Sequence, residues 1–152
     1  MELTAAMIHS SLPARDPFGH KGTFGKVYCL LNHSLTERQL AELQEKYGAG
    51  EVVYPDERLA ATWAQVPVTP VLDRSVIQAI TDWLSAARKG DVLVVQGEFG
   101  STFMIVDYAL GRGLVPLHAV TRRVALEHRE GEKVLRQYVF EHVCFRRYER
   151  YE

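Results

Sequence analysis

Apolar and polar positions along the chain follow two different periods. The runs "KVYCLL" at 26–31 and "DVLVVQ" at 91–96 are short and almost continuously apolar, as in strands buried on both faces of a parallel sheet. "EVVY" at 51–54 and "LVPLHAV" at 114–120 predict two further strands. Between these runs apolar residues recur every three to four positions, which predicts helices. Alternating strands and helices predict an α/β fold with a parallel sheet.

Capping signals set the expected limits of the helices. Thr36 precedes an apolar stripe, and Gln39 lies three residues after Thr36. This spacing predicts a capping box at the start of a first helix, which we expect to end near Gly48. Asp73 is a suitable cap for a second helix, which we expect to run to the basic pair at 88–89 before Gly90. A third helical pattern begins at 101, after a turn rich in glycine.

Two segments lack a sustained period. Residues 1–25 contain Gly, Pro and Ser without a repeat, so we expect a loose leader or extension ahead of a single domain at 26–152. Residues 55–70 hold three prolines and Trp63. We expect either a short helix around 59–63 with irregular flanks or a lid.

The C-terminal part alternates apolar and polar residues on both sides of Glu130 and Gly131, which predicts a β-hairpin. The alternation changes phase between Tyr138 and Phe145. The expected architecture is therefore an open, mostly parallel sheet with helices on both faces and an added C-terminal hairpin. The apolar positions of the hairpin are Val134, Tyr138, Phe140, Val143 and Phe145.

Composition narrows the function classes. A chain of 152 residues with 47% hydrophobic residues has enough apolar surface for one globular core. Its formal net charge of −1 excludes a basic coat for long nucleic acid. No apolar run approaches the roughly 18 residues of a membrane helix. Cys29 and Cys144 lie within apolar runs, which favours buried free thiols over a disulfide and predicts a cytoplasmic protein.

Three segments follow predicted strands, where open α/β sheets bind ligands and helix N-termini favour anions. They are "NHS" at 32–34, "QGEFGST" at 96–102 and "TRR" at 121–123. The second segment lacks the lysine ending of a P-loop and the spacing of the dinucleotide fingerprint. It predicts either a site for a phosphate or ribose, or an ordinary strand-to-helix turn.

Each residue type in "QGEFGST" has a chemical reason to bind such a ligand. Gly97 and Gly100 allow close backbone approach, and Ser101 and Thr102 offer hydroxyls at a helix start. Gln96 offers an amide. Glu98 would repel an anion unless it points away or accepts a hydrogen bond from a sugar hydroxyl or base edge.

The remaining candidates carry weaker signals. His33 is a turn residue, a nucleotide contact or a general acid or base. The arginines of "TRR" suit phosphate or form a solvated basic run. "FRRYERY" at 145–151 predicts a ligand-facing rim, an exposed edge strand or a dimer contact. His118, His128 and His142 are too scattered for a metal site, so we expect metal-free chemistry without a cofactor.

Four motifs in order, "LLNHSLTERQ", "VVQGEFGSTFMIV", "GLVPLHAVTRR" and "VFEHVCFRRYE", resemble the small stand-alone CRISPR-associated Rossmann-fold (CARF) proteins of type III systems, in the ring nuclease group. The resemblance spans 27–148. It implies a Rossmann-like sheet and a homodimer that binds a cyclic oligoadenylate, cyclic tetra-adenylate above all, across its two-fold axis. Cleavage to linear di-adenylate with a 2′,3′-cyclic phosphate would switch off the type III signal.

In such cleavage a ribose 2′-hydroxyl attacks its own 3′-phosphate, and the protein supplies geometry and charge stabilisation. With the resemblance, Arg122 and Arg123 are expected to neutralise phosphate charge, and the N–H groups of 97–101 to cradle it. Asn32, His33 and Ser34 are expected to position the 2′-hydroxyl or protonate the leaving oxygen. The expected ligand contacts are Asn32, Gln96, Gly97, Glu98, Phe99, Gly100, Ser101, Thr102, Thr121, His142 and Arg146.

Three other interpretations stay open from the residues alone. The fold could capture the ring without cleaving it, as a sponge or sensor. A nucleotide-processing α/β enzyme would use Glu98 as nucleophile or base in a deep pocket. An interaction domain would use "TRR" and "FRRYERY" for protein contacts. Stacking on adenine by Tyr54, Trp63 or Tyr108 competes with their burial in the core.

Overall fold

A computed structural model describes residues 25–152, and the expected leader at 1–25 falls outside the described residues except for Gly25. The elements in chain order are β1 (Gly25–Leu30), α1 (Glu37–Tyr47), β2 (Ala49–Val53), α2 (Glu57–Ala64), α3 (Arg74–Leu84), β3 (Val92–Val95), α4 (Phe99–Gly111), β4 (Val115–Glu130) and β5 (Lys133–Arg147). One or two helices separate each strand from the next up to β4, which confirms the predicted α/β class.

The five strands form one sheet in the order β2-β1-β3-β4-β5. β2, β1, β3 and β4 pair in parallel, and β5 pairs antiparallel to β4. The chain leaves β1 towards β2 on one side and then crosses back to β3 on the other. The direction of winding therefore reverses between β1 and β3, and the mostly parallel sheet with its C-terminal hairpin is as predicted.

Both faces of the two central strands are buried. Tyr28 and Leu30 of β1 pack with α2, α3 and α4, whereas Val27 and Cys29 pack with α1 on the opposite face. Successive strand residues point to opposite faces, so a continuous apolar run supplies both layers. The helices accordingly cover both faces of the sheet, as expected from the sequence.

The first helix begins and ends as its capping signals predict. The Thr36 Oγ1 accepts a hydrogen bond from the Gln39 amide at 3.2 Å, and the Gln39 Oε1 accepts one from the Thr36 amide at 3.0 Å. At the other end Gly48 takes a φ of 63°, a left-handed conformation that glycine adopts without strain. The predicted capping box is confirmed.

The segment at 55–70 contains the short helix that was one of its two predicted forms. Asp56 caps α2, and Trp63 near its end is 1% exposed in the core. Burial of the indole makes Trp63 unavailable for stacking on a ligand.

The second predicted helix is shorter than expected. α3 ends at Leu84, not at the basic pair at 88–89. The Ser85 hydroxyl donates to the Asp82 carbonyl at 2.6 Å, and the chain then turns to bury Ala87. The Asp91 carboxylate accepts from the Arg88 amide at 2.8 Å, which stabilises this turn in place of a further helical turn.

The C-terminal hairpin is longer than predicted because β4 does not end at Val120. It continues to Glu130, and the ladder with β5 is interrupted only between Val120 and Thr121, where β5 has one extra residue, Val143. This bulge explains the predicted change of phase between Tyr138 and Phe145. The "TRR" segment is therefore part of a strand and not a loop at a strand end.

We call residues 121–142 the arm. Its two strands pair throughout, from Thr121 with His142 to Glu130 with Lys133. Gly131 begins the two-residue turn with a φ of 62°, as a type II′ turn requires at its first central position.

Within residues 25–152, no helix is long and apolar enough to cross a membrane. Cys29 and Cys144 are both free, as predicted. Burial raises the pKa of the Cys29 thiol to about 12, so this sulfur stays protonated and unreactive at neutral pH.

Replacing Thr36 with alanine removes one half of the capping box. We expect the free energy of unfolding to fall by about 1 kcal/mol, measured by urea titration. Gln44→Ala, at an exposed position of the same helix, is the matched control and should change it by less than about 0.5 kcal/mol. Equal losses in both variants would contradict the assigned cap.

Candidate functional site at the carboxyl edge of the sheet

The ends of β1 and β3 meet where the winding of the chain reverses, the position at which open α/β sheets bind ligands. The Gln96 amide, one residue beyond β3, donates to the Leu30 carbonyl at 3.2 Å. The exposed residues 32–34 follow Leu31, and the turn at 96–98 follows β3. The structure thus brings together two of the three segments that the sequence singled out.

Gln96 connects three elements at this edge. Its side-chain Oε1 accepts from the Ala119 amide of β4 at 2.9 Å, and its carbonyl accepts from the Trp63 Nε1–H at 3.1 Å. The side chain thereby accepts a hydrogen bond from a β4 amide that lies beyond the end of β3 and has no partner on that strand. Its oxygen is committed to the fold and is unavailable to a ligand.

Gly97 is needed for packing. A Cβ at this position would lie 2.5 Å from the Cζ2 of Trp63, closer than real Cβ atoms approach another heavy atom. Its φ is not positive, so no left-handed conformation demands glycine here. The residue leaves room for the indole that closes the core, and this contact was not predicted from the sequence.

Glu98 caps α4 with its own carboxylate, and the helix begins at Phe99 rather than at 101. Oε1 accepts from the Gly100 amide at 2.8 Å, and Oε2 accepts from the Ser101 amide at 2.8 Å and the Ser101 hydroxyl at 2.7 Å. These hydrogen bonds hold the pKa of Glu98 below its ordinary value. The bond from the Ser101 amide has the largest effect, followed by those from the Gly100 amide and the Ser101 hydroxyl.

This cap changes the expected chemistry of the turn. The helix N-terminus that was predicted to cradle a phosphate is occupied by the Glu98 carboxylate, because an anion is favoured there whether it comes from a ligand or from the chain. The same contacts use both oxygens of Glu98, which argues against its role as a nucleophile. Ser101 and Thr102 are buried, so neither hydroxyl is presented to solvent.

Two phenylalanines are exposed beside the turn. Phe99 is 92% exposed and Phe103 is 75% exposed, one helical turn apart on α4. Asp107, one turn further, lies 3.7 Å from Arg150, so this stripe runs along the C-terminal segment. Phe99 was a predicted ligand contact and is free to make one. Phe103 was not singled out, although the spacing of four residues was visible in the sequence.

His33 is exposed on the bend after β1, and one of its ring nitrogens makes a hydrogen bond. Its Nδ1 lies 3.0 Å from the Ser34 carbonyl oxygen, which can only accept, so Nδ1 carries the proton. Nε2 is then the nitrogen with the free lone pair. Asn32 and Ser34 are exposed on either side of it. The predicted acid/base candidate is therefore accessible, and in the neutral ring its Nε2 is the proton-accepting atom.

The two arginines of "TRR" do not form one phosphate site within a chain. They are consecutive in β4, so their side chains leave opposite faces of the arm. The Arg123 guanidinium lies 3.7 Å from the centre of the Tyr138 ring, and Arg122 is opposite Glu141. Thr121, opposite His142, stands on the same face as Arg123. The expectation that "TRR" follows the end of a strand was wrong because β4 continues through it, and the phosphate role of each arginine stays a prediction.

His142 is part of the packing between α1 and the base of the arm. Its Nε2 lies 2.7 Å from the Glu42 Oε2, and its Nδ1 lies 3.3 Å from the Gln39 Nε2. The Gln39 oxygen accepts from the Thr36 amide, so its NH₂ group donates to Nδ1, and the imidazole donates to Glu42 through Nε2. Both nitrogens are thus used, and the predicted ligand role of His142 is not supported.

Arg146 remains available. It is exposed and lies opposite His118, which follows the last β4 residue paired with β3. His118 stacks on Tyr148 at 4.8 Å, and the Tyr148 hydroxyl donates to the Val95 carbonyl at 3.0 Å. Arg146 therefore lies nearer to the carboxyl edge of the parallel strands than either arginine of "TRR". Within residues 25–152, no three His, Cys, Asp or Glu residues gather as a metal site.

Gly97→Ala should force the Trp63 indole to move and weaken its bond to Gln96. We expect the free energy of unfolding to fall by about 1–3 kcal/mol in urea titrations. Gly111→Ala is the control, since a Cβ there meets nothing within 4 Å and the residue ends α4. That variant should be neutral or stabilised by up to about 1 kcal/mol. Similar midpoints for both variants would contradict the proposed packing role.

Glu42 makes stability depend on pH. Burial alone would raise its pKa, but hydrogen bonds from the Phe145 amide and His142, with the Lys46 charge, lower the pKa below the ordinary 4.5. A lowered folded pKa gives stability that is present above 4.5 and lost as pH falls through the folded value. At pH 7, Glu42→Gln should cost about 1–3 kcal/mol, because the new amide faces the His142 N–H.

Thermal melts between pH 7 and pH 3 test this linkage. The difference between wild type and Glu42→Gln should shrink as the pH falls below about 4.5. Glu45→Gln, at an exposed position of the same helix, should follow the wild-type curve. A difference that stays constant across the range would count against the role of the Glu42 charge.

Comparison with known proteins relates the whole described domain to one family. A protein of Methanocaldococcus jannaschii, described as "Uncharacterized protein MJ1673", is 28% identical over 129 residues, covering 83% of this chain and 98% of that protein. No solved structure matches the chain significantly. The model of the "Uncharacterized protein MJ1673 family" matches residues 25–146. The chain belongs to this family.

Proposed function

We propose that this protein is a ring nuclease of type III CRISPR systems that binds cyclic tetra-adenylate in the cytoplasm and cleaves it without a metal ion. The proposal includes a Rossmann-like CARF fold, supported by the reversal of winding between β1 and β3. The four motifs of the sequence support the assignment. The observation that carries it is the exposed His33, whose Nε2 is free to accept a proton at the edge where such sheets bind ligands.

The reaction needs a base and a positioned phosphate. His33 Nε2 takes the proton of a ribose 2′-hydroxyl, and the 2′-oxygen attacks the adjacent 3′-phosphate. The P–O2′ bond forms, the P–O5′ bond breaks, and the leaving 5′-oxygen takes a proton from water. The hydroxide left by the water takes the proton back from His33. This first cut opens the ring to linear tetra-adenylate, and a second cut of the same kind, two phosphates further along, gives two linear di-adenylates, each with a 2′,3′-cyclic phosphate and a 5′-hydroxyl. Such a base contributes on the order of 10²- to 10⁴-fold to the rate.

The surface beside His33 offers contacts for adenine and phosphate. Phe99 and Phe103 present exposed rings, and base stacking on an aromatic side chain contributes about 1–3 kcal/mol. Arg146 supplies a cation near the same edge. Arg122 or Arg123 can contribute to a site on one face of the arm, but not both to the same phosphate of one chain.

A second candidate, capture of the ring without cleavage, has one observation in its favour. The amides at the start of α4 are occupied by Glu98, and the two arginines of "TRR" point to opposite faces. Without such amides and arginines gathered around the reacting phosphate, the protein would bind the ring as a sponge or sensor and would not cleave it. Binding and cleavage then separate in a single experiment.

Incubation with cyclic tetra-adenylate in excess EDTA, followed by chromatography with mass detection, tests the proposal. Wild type should release linear di-adenylate with a cyclic phosphate. His33→Ala should lower the single-turnover rate by about 10²-fold or more while binding is kept. Phe99→Ala should weaken binding by about 1–3 kcal/mol. His128→Ala, exposed on the arm, is the matched control and should behave as wild type.

Each result has a distinct meaning. Intact ring retained by wild type would establish capture instead of cleavage. Product from His33→Ala at the wild-type rate would remove His33 from the reaction. If wild type neither retains the ring nor releases product, the ring nuclease proposal is overturned. The turn at 96–100 then has a structural role alone.

A further inference from the structure

The arm ends the sheet with a long exposed edge. Among residues 25–152, β5 pairs with β4 on one side and with no strand on the other, and its residues 133–141 contain neither proline nor glycine. The opposite edge strand, β2, has five residues. A long, regular edge with large apolar side chains is a template for pairing with another strand. Those exposed side chains are Val134, Leu135, Tyr138 and Phe140.

The hydrogen-bonding groups of this edge follow from the turn. Glu130 and Lys133 flank a two-residue turn and therefore form a hydrogen-bonded pair. The ladder then continues regularly to Arg122 and Glu141, so the odd-numbered residues of β5 bond to β4. The even-numbered residues from 134 to 140 point their N–H and C=O groups away from β4.

The sequence of this edge complements itself when read in the reverse direction. In an antiparallel strand pair, opposite residues lie on the same face of the sheet. When the two strands are identical, opposite residues are therefore an even number of positions apart in the sequence, and the two-fold axis passes beside the residue midway between them. With the axis at Gln137, every opposed pair is favourable. The pairs are Lys133 with Glu141, Val134 with Phe140, Leu135 with Val139, and Arg136 with Tyr138, each formed twice.

The neighbouring registers are worse. An axis at Arg136 sets two arginines against each other, and like charges directly opposite destabilise a strand pair. An axis at Tyr138 sets Leu135 against Glu141 and leaves Lys133 opposite Val143. Of these three registers, the one with its axis at Gln137 alone places opposite charges together and apolar residues together.

We propose that two copies of this chain associate through β5, antiparallel, about a two-fold axis at Gln137. The outward N–H and C=O groups at 134–140 then pair with those of the partner subunit. This surface goes beyond the proposed ring nuclease function, because the family resemblance implies a homodimer but does not say through which strand it forms.

The interface also fixes where the carboxyl edges lie, which matters if the proposed function holds. Phe145 is eight residues from Gln137, about 25 Å along a strand, so each edge is far from the axis. Two edges so far apart bind one ring each. The expected stoichiometry is two rings per dimer, in contrast to the single ring across the axis that the family resemblance implies.

Light scattering and cysteine crosslinking without any nucleotide test the interface by itself. Wild type should have twice the 17.2 kDa mass of one chain. In a Cys144→Ser background, Gln137→Cys should form a disulfide-linked dimer on oxidation, because the opposed Cα atoms in this kind of pair lie about 4.5 Å apart. Leu135→Cys alone should not link, since its copies lie about 13 Å apart along the strands.

Two further variants separate pairing from folding. Leu135→Cys chains mixed with Val139→Cys chains should link, because these positions face each other across the axis. Arg136→Pro removes an outward N–H that β4 does not use and should give a folded monomer, whereas Arg136→Ala should stay dimeric. Circular dichroism checks that both variants fold.

A monomeric wild type would overturn the inference, and so would a dimer that Gln137→Cys does not crosslink. Neither result depends on ring cleavage. Loss of cleavage with an intact Gln137→Cys crosslink would count against the proposed function alone.

Discussion

The structure depends on the burial of β1 and β3 on both faces. Leu30 and Val95 face one helical layer, and Val27 and Val94 face the other. Because neither strand has a solvated face, all helices must lie above or below this pair, and the loops that follow the strands emerge together at one edge. The position of His33 beside the turn at 96–98 follows from that constraint.

The turn after β3 shows how a stretch typical of ligand binding can be satisfied by the fold. Gly97 accommodates the indole of Trp63, Gln96 bonds to β4, and the Glu98 carboxylate occupies the start of α4. These contacts hold the turn to α2, β4 and α4. What it presents to solvent is Phe99, and so the surface offers stacking where the sequence suggested an anion site.

The arm shifts the functional emphasis of the C-terminal part. Residues that the sequence placed in a loop, Arg122 and Arg123, stand on a continuous strand and face opposite ways. His142 holds the base of the arm to α1 through Glu42. Beyond that base, no element within residues 25–152 covers the apolar side chains of the arm, and the sequence of its edge strand complements a second copy of itself.

The sequence by itself determined the α/β class, the capping box of α1, the hairpin turn at Gly131 and the change of phase in β5, and it offered the short helix around Trp63 as one of two forms. All of these depend on interactions between residues close in sequence or on a simple period. The unbroken course of β4 past Val120, the early end of α3 and the contacts of the Glu98, His142 and Gln96 side chains were decided by the tertiary structure. Carboxylate, imidazole and amide groups bind a ligand or the chain equally well, and only the neighbours that folding brings to each group select between the two.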